Sequence, residues 1–341
     1  MAGRGGLFHL KVWQLILIDL AAIGVSYWLF ALAHHIVPIE GGPALMQTAA
    51  LAGDPARSGE ENPGIGPNGD PSDPNGGEEG PTPDLPKPPA YYGDFSATFP
   101  AAPEEGFEGA LRWYRDDDIQ IVIRAEAISN FVYYAADVWV RDLSYLRAAF
   151  ARDTYGRGYL ESVEGMAARN DALLAVSGDY YGAHGNGIVI RNGLLYRETQ
   201  IANFCVINQD GAMKIYGRNE ADLEAVYADR PYQAWSFGPW LLKDGARVVL
   251  DDHSLNRTNP RCAIGYYEPG HYVFVIVDGR QPGYSDGITL TGLSRLMESL
   301  GCAEAYNLDG GQTAVMVFQG EVINRPVDGG RPLSDIVYIR R

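Results

Sequence analysis

Three short segments place a carboxylate beside glycines and other polar side chains, each at the end of an apolar run that reads as a buried strand. They are Ser177-Gly178-Asp179-Tyr180-Tyr181, followed by His184; Val277-Asp278-Gly279-Arg280-Gln281; and Asn307-Leu308-Asp309-Gly310-Gly311-Gln312-Thr313. In the third, Gly310 and Gly311 allow positive φ and close approach of backbone to a ligand. Successive N–H groups in such a turn form a nest that holds an anion. A carboxylate beside that nest suits a reaction in which positive charge develops next to a departing anion. Asp309 is therefore the first catalytic candidate, with Asp278 and Asp179 as candidate second carboxylates. Arg261 precedes a strand and offers a planar guanidinium fork to a phosphate or carboxylate. The bland alternative is that Asp309 caps its own turn and that Asp278-Gly279-Arg280 is an ordinary surface turn.

The elements that must position these groups are short and β-rich. Residues 119–124 and 132–141 cluster or alternate β-formers as strands do. Residues 159–170 read as a helix, and 172–176 as a buried strand. Asn192-Gly193, Asp210-Gly211 and Asp244-Gly245 are two-residue hairpin signals between apolar runs. A second helix is expected over 291–300, between strands at 272–277 and 305–308. The order points to an α+β domain: a mixed, largely antiparallel and extended sheet with flanking helices.

The chain has 341 residues and a formal charge of −16, which excludes nucleic acid as a partner, since duplex binding needs a surplus of Lys and Arg. Between Gly41 and Gly106 lie 13 of the 21 prolines and −9 of the −16, so this stretch lacks the apolar surface to offset ordering and reads as a disordered linker over 38–106. Residues 1–11 are basic and are followed by an apolar run over 12–37. That run is long enough to span a bilayer as a helix, and the flanking charges put the C-terminal domain outside. Ala31-Leu32-Ala33 has the form of a cleavage site, so a cleaved signal peptide is the competing reading. Residues 107–341 remain as one domain. Cys205, Cys262 and Cys302 have no metal-ligand spacing and read as buried thiols, with a Cys262–Cys302 bridge as the alternative. The histidines also lack ligand spacing. No cofactor is expected, and a structural calcium is the one metal left open.

Residues 259–267 (NPRCAIGYY), 273–326 and 331–339 (RPLSDIVYI), with the turn at 177–182 (SGDYYG) and the hairpin at 189–197 (VIRNGLLYR), resemble the phosphodiester glycosidase domain family. The likeness runs from about Val132 to Ile339. It implies a glycosidase acting on a sugar-1-phosphodiester of the N-acetylglucosamine-1-phosphate type, in a cell-surface glycan or bacterial exopolysaccharide. The family's turn after the aspartate carries three glycines and then Ser-Ser or Ser-Thr; here Gln312 and Thr313 follow two. Asp179 stands where many relatives have glycine.

The resemblance implies a reaction whose leaving group is already a phosphate anion, so stabilising the oxocarbenium-like centre and the phosphate charge outweighs protonating the leaving oxygen. Asp309 then lies nearest the anomeric carbon, as nucleophile, base or electrostatic stabiliser. Arg261 is the first phosphate ligand, followed by Arg280 and Arg325. Asn307, Gly310, Gly311, Gln312, Thr313, Tyr180 and His184 complete the expected substrate-binding set. The alternative function is a non-catalytic module that binds anionic cell-wall glycopolymers, held to the membrane by the N-terminal helix.

Overall fold

The computed structural model describes residues 39–40 and 93–341, apart from 104–105, 184, 200–202, 218–219 and 248–256. The apolar run over 12–37 and most of the linker over 38–106 lie outside the described residues. Among those described, no helix is long and apolar enough to cross a membrane.

The strands in chain order are β1 (Arg112–Arg115), β2 (Ile119–Ile128), β3 (Phe131–Val140), β4 (Leu146–Phe150), β5 (Leu174–Ser177), β6 (Gly187–Arg191), β7 (Leu194–Thr199), β8 (Phe204–Asn208) and β9 (Met213–Tyr216). They continue with β10 (Pro231–Trp235), β11 (Trp240–Lys243), β12 (Ala246–Arg247), β13 (Arg261–Glu268), β14 (His271–Val277), β15 (Glu304–Leu308), β16 (Met316–Phe318), β17 (Glu321–Val322) and β18 (Asp335–Ile339). Helices α1 (Val163–Arg169), α2 (Leu223–Ala228) and α3 (Leu290–Ser299) interrupt them.

The one extended sheet expected from the sequence is instead three large sheets, beside a two-stranded pairing of Ile39–Glu40 with Gly156–Arg157. The largest runs β12-β11-β15-β13-β14-β3-β2-β1, and two five-stranded sheets run β9-β8-β10-β6-β7 and β17-β16-β5-β18-β4. The pairings within them are antiparallel, for instance β13 with β14 and with β15, and β18 with β5 and with β4.

Alternation explains why three sheets share one core. In β14, Tyr272, Phe274 and Ile276 enter a central cluster with Ile119, Ile121 and Ile123 of β2, Val176 of β5, Cys205 of β8 and Val337 of β18. The intervening Val273, Val275 and Val277 face the other way, under Leu293 and Met297 of α3. A strand buried on both faces reads as a continuous apolar run, which is what residues 272–277 show. Helix α1 likewise covers Ala175 and Ile336 of the third sheet, and Val226 of α2 covers Ile188, Ile190 and Val206 of the second. The helix expected over 159–170 is shorter because Ser162 caps it, accepting the Gly165 N–H at 3.1 Å.

One further expectation changes, and the buried-thiol reading of the cysteines is met while its bridged alternative is not. The domain begins before residue 107: Phe95 is buried, its N–H donates to the Arg141 carbonyl at 2.8 Å, and its ring occupies the space where a Cβ on Gly211 or Gly270 would lie. A Pro/Gly-rich composition masked this one aromatic anchor. The three cysteines are buried and unbridged; Cys262 faces the central core, whereas Cys302 lies under α3, so the large sheet separates them.

Candidate active site

The site forms where strands of two sheets end together. In the large sheet β13 lies between β15 and β14, with Cys262 opposite both Leu308 and Ile276. Asp309, Arg261 and Asp278 therefore sit at the same edge of three adjacent strands, and the two aspartates are separated by two strand spacings, roughly 10 Å of backbone. From the third sheet, the end of β5 is clipped onto this edge. The Asp309 N–H donates to the Gly178 carbonyl at 2.9 Å, and the Ser177 hydroxyl donates to the Asp309 carbonyl at 2.8 Å. Gly178 is required by space: a Cβ there would lie 2.8 Å from Asp335 Oδ1.

Asp309 is 4% exposed, and its Oδ2 has no hydrogen-bond partner. Burial pushes its carboxyl up to about 7, against the Thr313 hydroxyl and the Arg331 charge, which pull it down; the charges of Asp179 and Asp335 add to the rise. Asp179 is thus close enough to act on Asp309 electrostatically. Its Oδ2 accepts the Ser236 N–H at 2.8 Å and lies 3.7 Å from the Arg191 guanidinium. Asp335 is fully buried: its Oδ2 accepts the Arg191 Nε–H at 2.8 Å and lies 2.7 Å from Nη2 as an ion pair, and its Oδ1 accepts the Asp179 N–H at 2.8 Å. Arg191, itself 2% exposed, also donates to the Ile190 and Ala234 carbonyls. One buried guanidinium therefore underpins both Asp335 and Asp179.

A second cationic group borders the turn after Asp309. Arg280, at φ 56°, donates Nε and Nη2 to Asn259 Oδ1 at 3.1 and 2.9 Å. Its Nη2 lies 3.4 Å from where a Cβ on Gly311 would be. Arg261 donates to the Arg257 carbonyl at 2.6 Å and more weakly to the Ile288 carbonyl at 3.3 Å. Burial, and then the like charge of Arg280, lower Arg261 to about 10. Two positive groups brought together at this cost make a place for an anion. Gly310 cannot carry a side chain, because its Cβ would lie 2.9 Å from the Pro260 carbonyl oxygen. The Gly311 N–H donates to that same carbonyl at 2.9 Å, so this amide is not open to an anion as the nest reading expected.

The remaining sequence candidates divide between this edge and its neighbour. Tyr180 stacks under Arg331, whose guanidinium is 5.3 Å from the ring centre. Asn307 is buried, donating to the Gly238 carbonyl at 2.7 Å and leaving its Oδ1 without a partner. Thr313 donates to the Gly310 carbonyl at 2.7 Å, and Gln312 donates to Asp328 at 2.9 Å. His184 lies outside the described residues.

Asp278 is engaged on both oxygens, by Asn324 at 2.7 Å and by the Arg325 N–H and the Tyr284 hydroxyl at 2.9 Å each. Burial still raises it, against the pull of those donors and of Arg325. The Arg325 guanidinium lies over the Tyr284 ring at 4.9 Å, on Asp278's side. Sequence reasoning missed Arg191, Asp335, Ser177 and Arg331. Ser177 was inside a candidate turn, and Arg331 and Asp335 were inside the quoted residues 331–339. Arg191 was hidden as the shoulder of a hairpin. Among the described residues no group of three or more His, Cys, Asp or Glu side chains is placed to hold a metal ion.

Residues 170–340 match the phosphodiester glycosidase family, half of the chain. The chain belongs to that family. It is 33% identical over 185 residues to the SPbeta prophage-derived uncharacterized protein YomE of Bacillus subtilis (strain 168), covering 51% of this chain and 29% of that relative's length. Its fold is similar to that of the zebrafish N-acetylglucosamine-1-phosphodiester α-N-acetylglucosaminidase catalytic domain auto-inhibited by its pro-peptide, with a TM-score of 0.54 at 19% identity, covering 66% of this chain and 83% of that one. A hypothetical protein from Synechocystis gives the same TM-score of 0.54 at 14% identity, covering 66% of this chain and 62% of that one. In this member of the phosphodiester glycosidase family, the matched segment carries Asp309, Asp179, Asp335, both arginines of the cationic pair and the Arg191 support.

Proposed function

We propose that the protein hydrolyses a sugar-1-phosphodiester of the N-acetylglucosamine-1-phosphate type in a cell-surface glycan or exopolysaccharide. The observation that carries this reading is the buried Asp309 carboxyl with its unpartnered Oδ2, held beside Asp179 on a sheet edge that also carries the Arg261–Arg280 pair. Similarity of fold to the zebrafish enzyme supports the substrate class.

The bond broken is that between the anomeric carbon and the phosphate oxygen. As it lengthens, the sugar gains positive charge and the phosphate negative charge. Arg261 and Arg280 take up the phosphate charge, with an effect magnified in a site screened from water. A carboxyl raised to about 7 exchanges its proton near neutral pH, the range in which a general base is most effective. Asp309 activates the attacking water through Oδ2, and the Asp179 carboxylate lowers the cost of positive charge on the sugar. Asp335 and Arg191 hold Asp179 in place. The N-terminal apolar run, read as a single membrane anchor, and the Pro/Gly-rich linker after it would present residues 107–341, with the Phe95 anchor, at the outer surface.

The test is release of N-acetylglucosamine from its 1-phosphate methyl diester. Wild-type protein should turn over many times, and Asp309→Asn should be folded and inactive. Tight binding of the diester by wild type without turnover would sink the enzymatic reading and favour a glycopolymer-binding module.

A further inference from the structure

Helix α3 covers only part of the outer face of the large sheet. Val273, Val275 and Val277 of β14 lie under Leu293 and Met297, with Tyr133 and Ala135 of β3 in the same cluster. That face continues across β2 and β1. Ile121 and Ile123 point into the central core, so Val122, Arg124, Glu126 and Ile128 point outward, and Trp113, opposite Val122, shares their side. Trp113 is 53% exposed and Ile128 43%. An open apolar patch rimmed by polar groups marks a binding surface, and the hollow beside it indicates what binds.

A cavity of about 310 Å³ opens where the covered and open parts of this face meet. Ala135, small between Tyr133 and Asp137 on β3, forms its floor with Val273, and Leu300, just past the end of α3, lies on its rim. Arg124, Glu126 and Asp137 bring charge to its wall. His271 is clasped between the rings of Trp139 at 3.5 Å and Tyr267 at 4.1 Å, and its Nε2 lies 2.6 Å from Asp137 Oδ1. Glu126 Oε2 accepts the Tyr133 hydroxyl at 2.8 Å. Each carboxylate is thus fixed through one oxygen and keeps acceptor capacity on the other, while Arg124 brings only donors.

An anion entering this cavity would meet two carboxylates, and a cation would meet Arg124. Hydroxyl groups donate and accept alike, so they suit carboxylates and a guanidinium together. The apolar face of a pyranose ring suits Ala135, Val273, Leu300 and the Tyr267 ring. The volume is at the lower end of ligand pockets, ~300–1,000 Å³, which is room for one sugar unit. Trp113 stands two strand spacings from Asp137 across Val122, roughly 10 Å, and offers an amphipathic ring to a neighbouring sugar.

We propose that this face is a glycan-binding surface, with one neutral pyranose unit in the cavity and the next lying on Trp113. It is separate from the Asp309 edge: its floor is on the α3 side of the sheet, whereas Val176 of the third sheet packs on the other side. Such a surface goes beyond hydrolysis and does not depend on it. It holds a polymeric glycan against the protein, whatever bond the Asp309 edge acts on.

Titration of the full chain with triacetylchitotriose and, separately, with cellotriose tests this, since neither carries a phosphate for the Asp309 edge. The indole N–H resonance that Trp113→Ala removes should shift on addition of sugar. In calorimetry Trp113→Ala and Arg124→Ala, both changes at exposed side chains, should each weaken binding by about fivefold or more and leave the unfolding midpoint level. Asp309→Asn should bind as wild type does. Both surface variants should still release N-acetylglucosamine from its 1-phosphate methyl diester, so binding and hydrolysis succeed or fail independently. Binding of triacetylchitotriose alone would assign N-acetylhexosamine units, and binding of both sugars would assign neutral pyranoses in general. No shift with either sugar would overturn the proposal, as would binding that survives Trp113→Ala and Arg124→Ala but is lost in Asp309→Asn. A dimer in sedimentation that Trp113→Ala dissociates would overturn it in favour of a second copy of the chain on this face.

Discussion

Asp309 and Asp278 occupy equivalent places, each the first residue beyond a buried strand at the same sheet edge, yet their surroundings differ completely. Asp278 has three donors on its two oxygens. Asp309 keeps one buried oxygen without any. A buried carboxylate with all its donors stabilises the chain around it; a buried carboxylate without them costs stability and is kept for what its open oxygen can do. The residue types are the same, so the difference lies in what the following loops return to the strand end. After Asp278 the chain brings Tyr284 back to it, and Asn324 and Arg325 arrive from a later loop. After Asp309 it brings two glycines, and the neighbouring cations stand back.

The largest test of that contrast is a pair of matched substitutions. Asp309→Asn should reduce sugar release by about a thousandfold or more, as expected when a group acting in the transition state is lost, while the unfolding midpoint stays level or rises. Asp278→Asn should do the reverse. It exchanges an acceptor for a donor against the Tyr284 hydroxyl and the Arg325 N–H, and should lose about 2–3 kcal/mol of stability in denaturant unfolding, with turnover per folded molecule within a few-fold of wild type. Equal loss of activity in both variants would erase the distinction.

Next in size is the effect of pH on stability. The Asp309 carboxyl stands at about 7 when folded against an ordinary value of 3.8, so the folded state binds more protons than the unfolded state between those values. Its contribution to stability is therefore fully present below about pH 4 and is lost as pH rises through 7. Glu304, buried with one unpartnered oxygen and also raised to about 7, acts in the same sense. Between pH 5 and 8 the wild-type midpoint should fall by an amount worth a few kcal/mol. Asp309→Asn and Glu304→Gln should each flatten part of that fall, and only the first should remove the titration from the rate profile.

Much of this architecture was legible in the sequence because the local rules agreed. Residues 272–277 formed the expected strand, α3 formed within a residue of its expected bounds, and Asn192-Gly193 and Asp244-Gly245 made hairpins with both residues at positive φ. What was not legible depends on strand order. A run such as 335–339 is apolar enough to be buried on both faces, which conceals that its first residue is a carboxylate meeting Arg191 from a strand 144 residues away. The same long-range closure divides one expected sheet into three. Asp309 stood out because glycines follow it; Asp335, preceded by Pro332, Leu333 and Ser334, had no such marker.

Arginine chemistry sharpens the comparison further. Arg261 lies between the two aspartates on the central strand of the three, and its charge is already opposed by burial and by Arg280. Arg261→Lys keeps the charge but loses the planar fork. KM for the phosphodiester should rise about tenfold with a smaller change in kcat; unchanged values for both would move the phosphate to Arg331 on the Tyr180 side.

The smallest effect belongs to Gln312, which stands where a third glycine would extend the open turn. Its amide reaches Asp328 at 2.9 Å, tying the segment after Asp309 to the 326–330 loop that leads into Arg331. The bond is exposed to solvent, so Gln312→Ala should cost only about 0.5 kcal/mol. Its consequence for the comparison is larger than its energy. At Asp278 the chain closes over the carboxylate with bonds to the carboxylate itself; at Asp309 it closes one residue pair further out, leaving the buried Oδ2 unpartnered. If that outer tie sets the position of Arg331, Gln312→Ala should push the Asp309 carboxyl slightly further up, because the Arg331 charge that pulls it down is held less firmly, and should raise KM by about two- to threefold. A KM that moves only when Asp328→Asn is also present would place the tie in Asp328's other contacts instead.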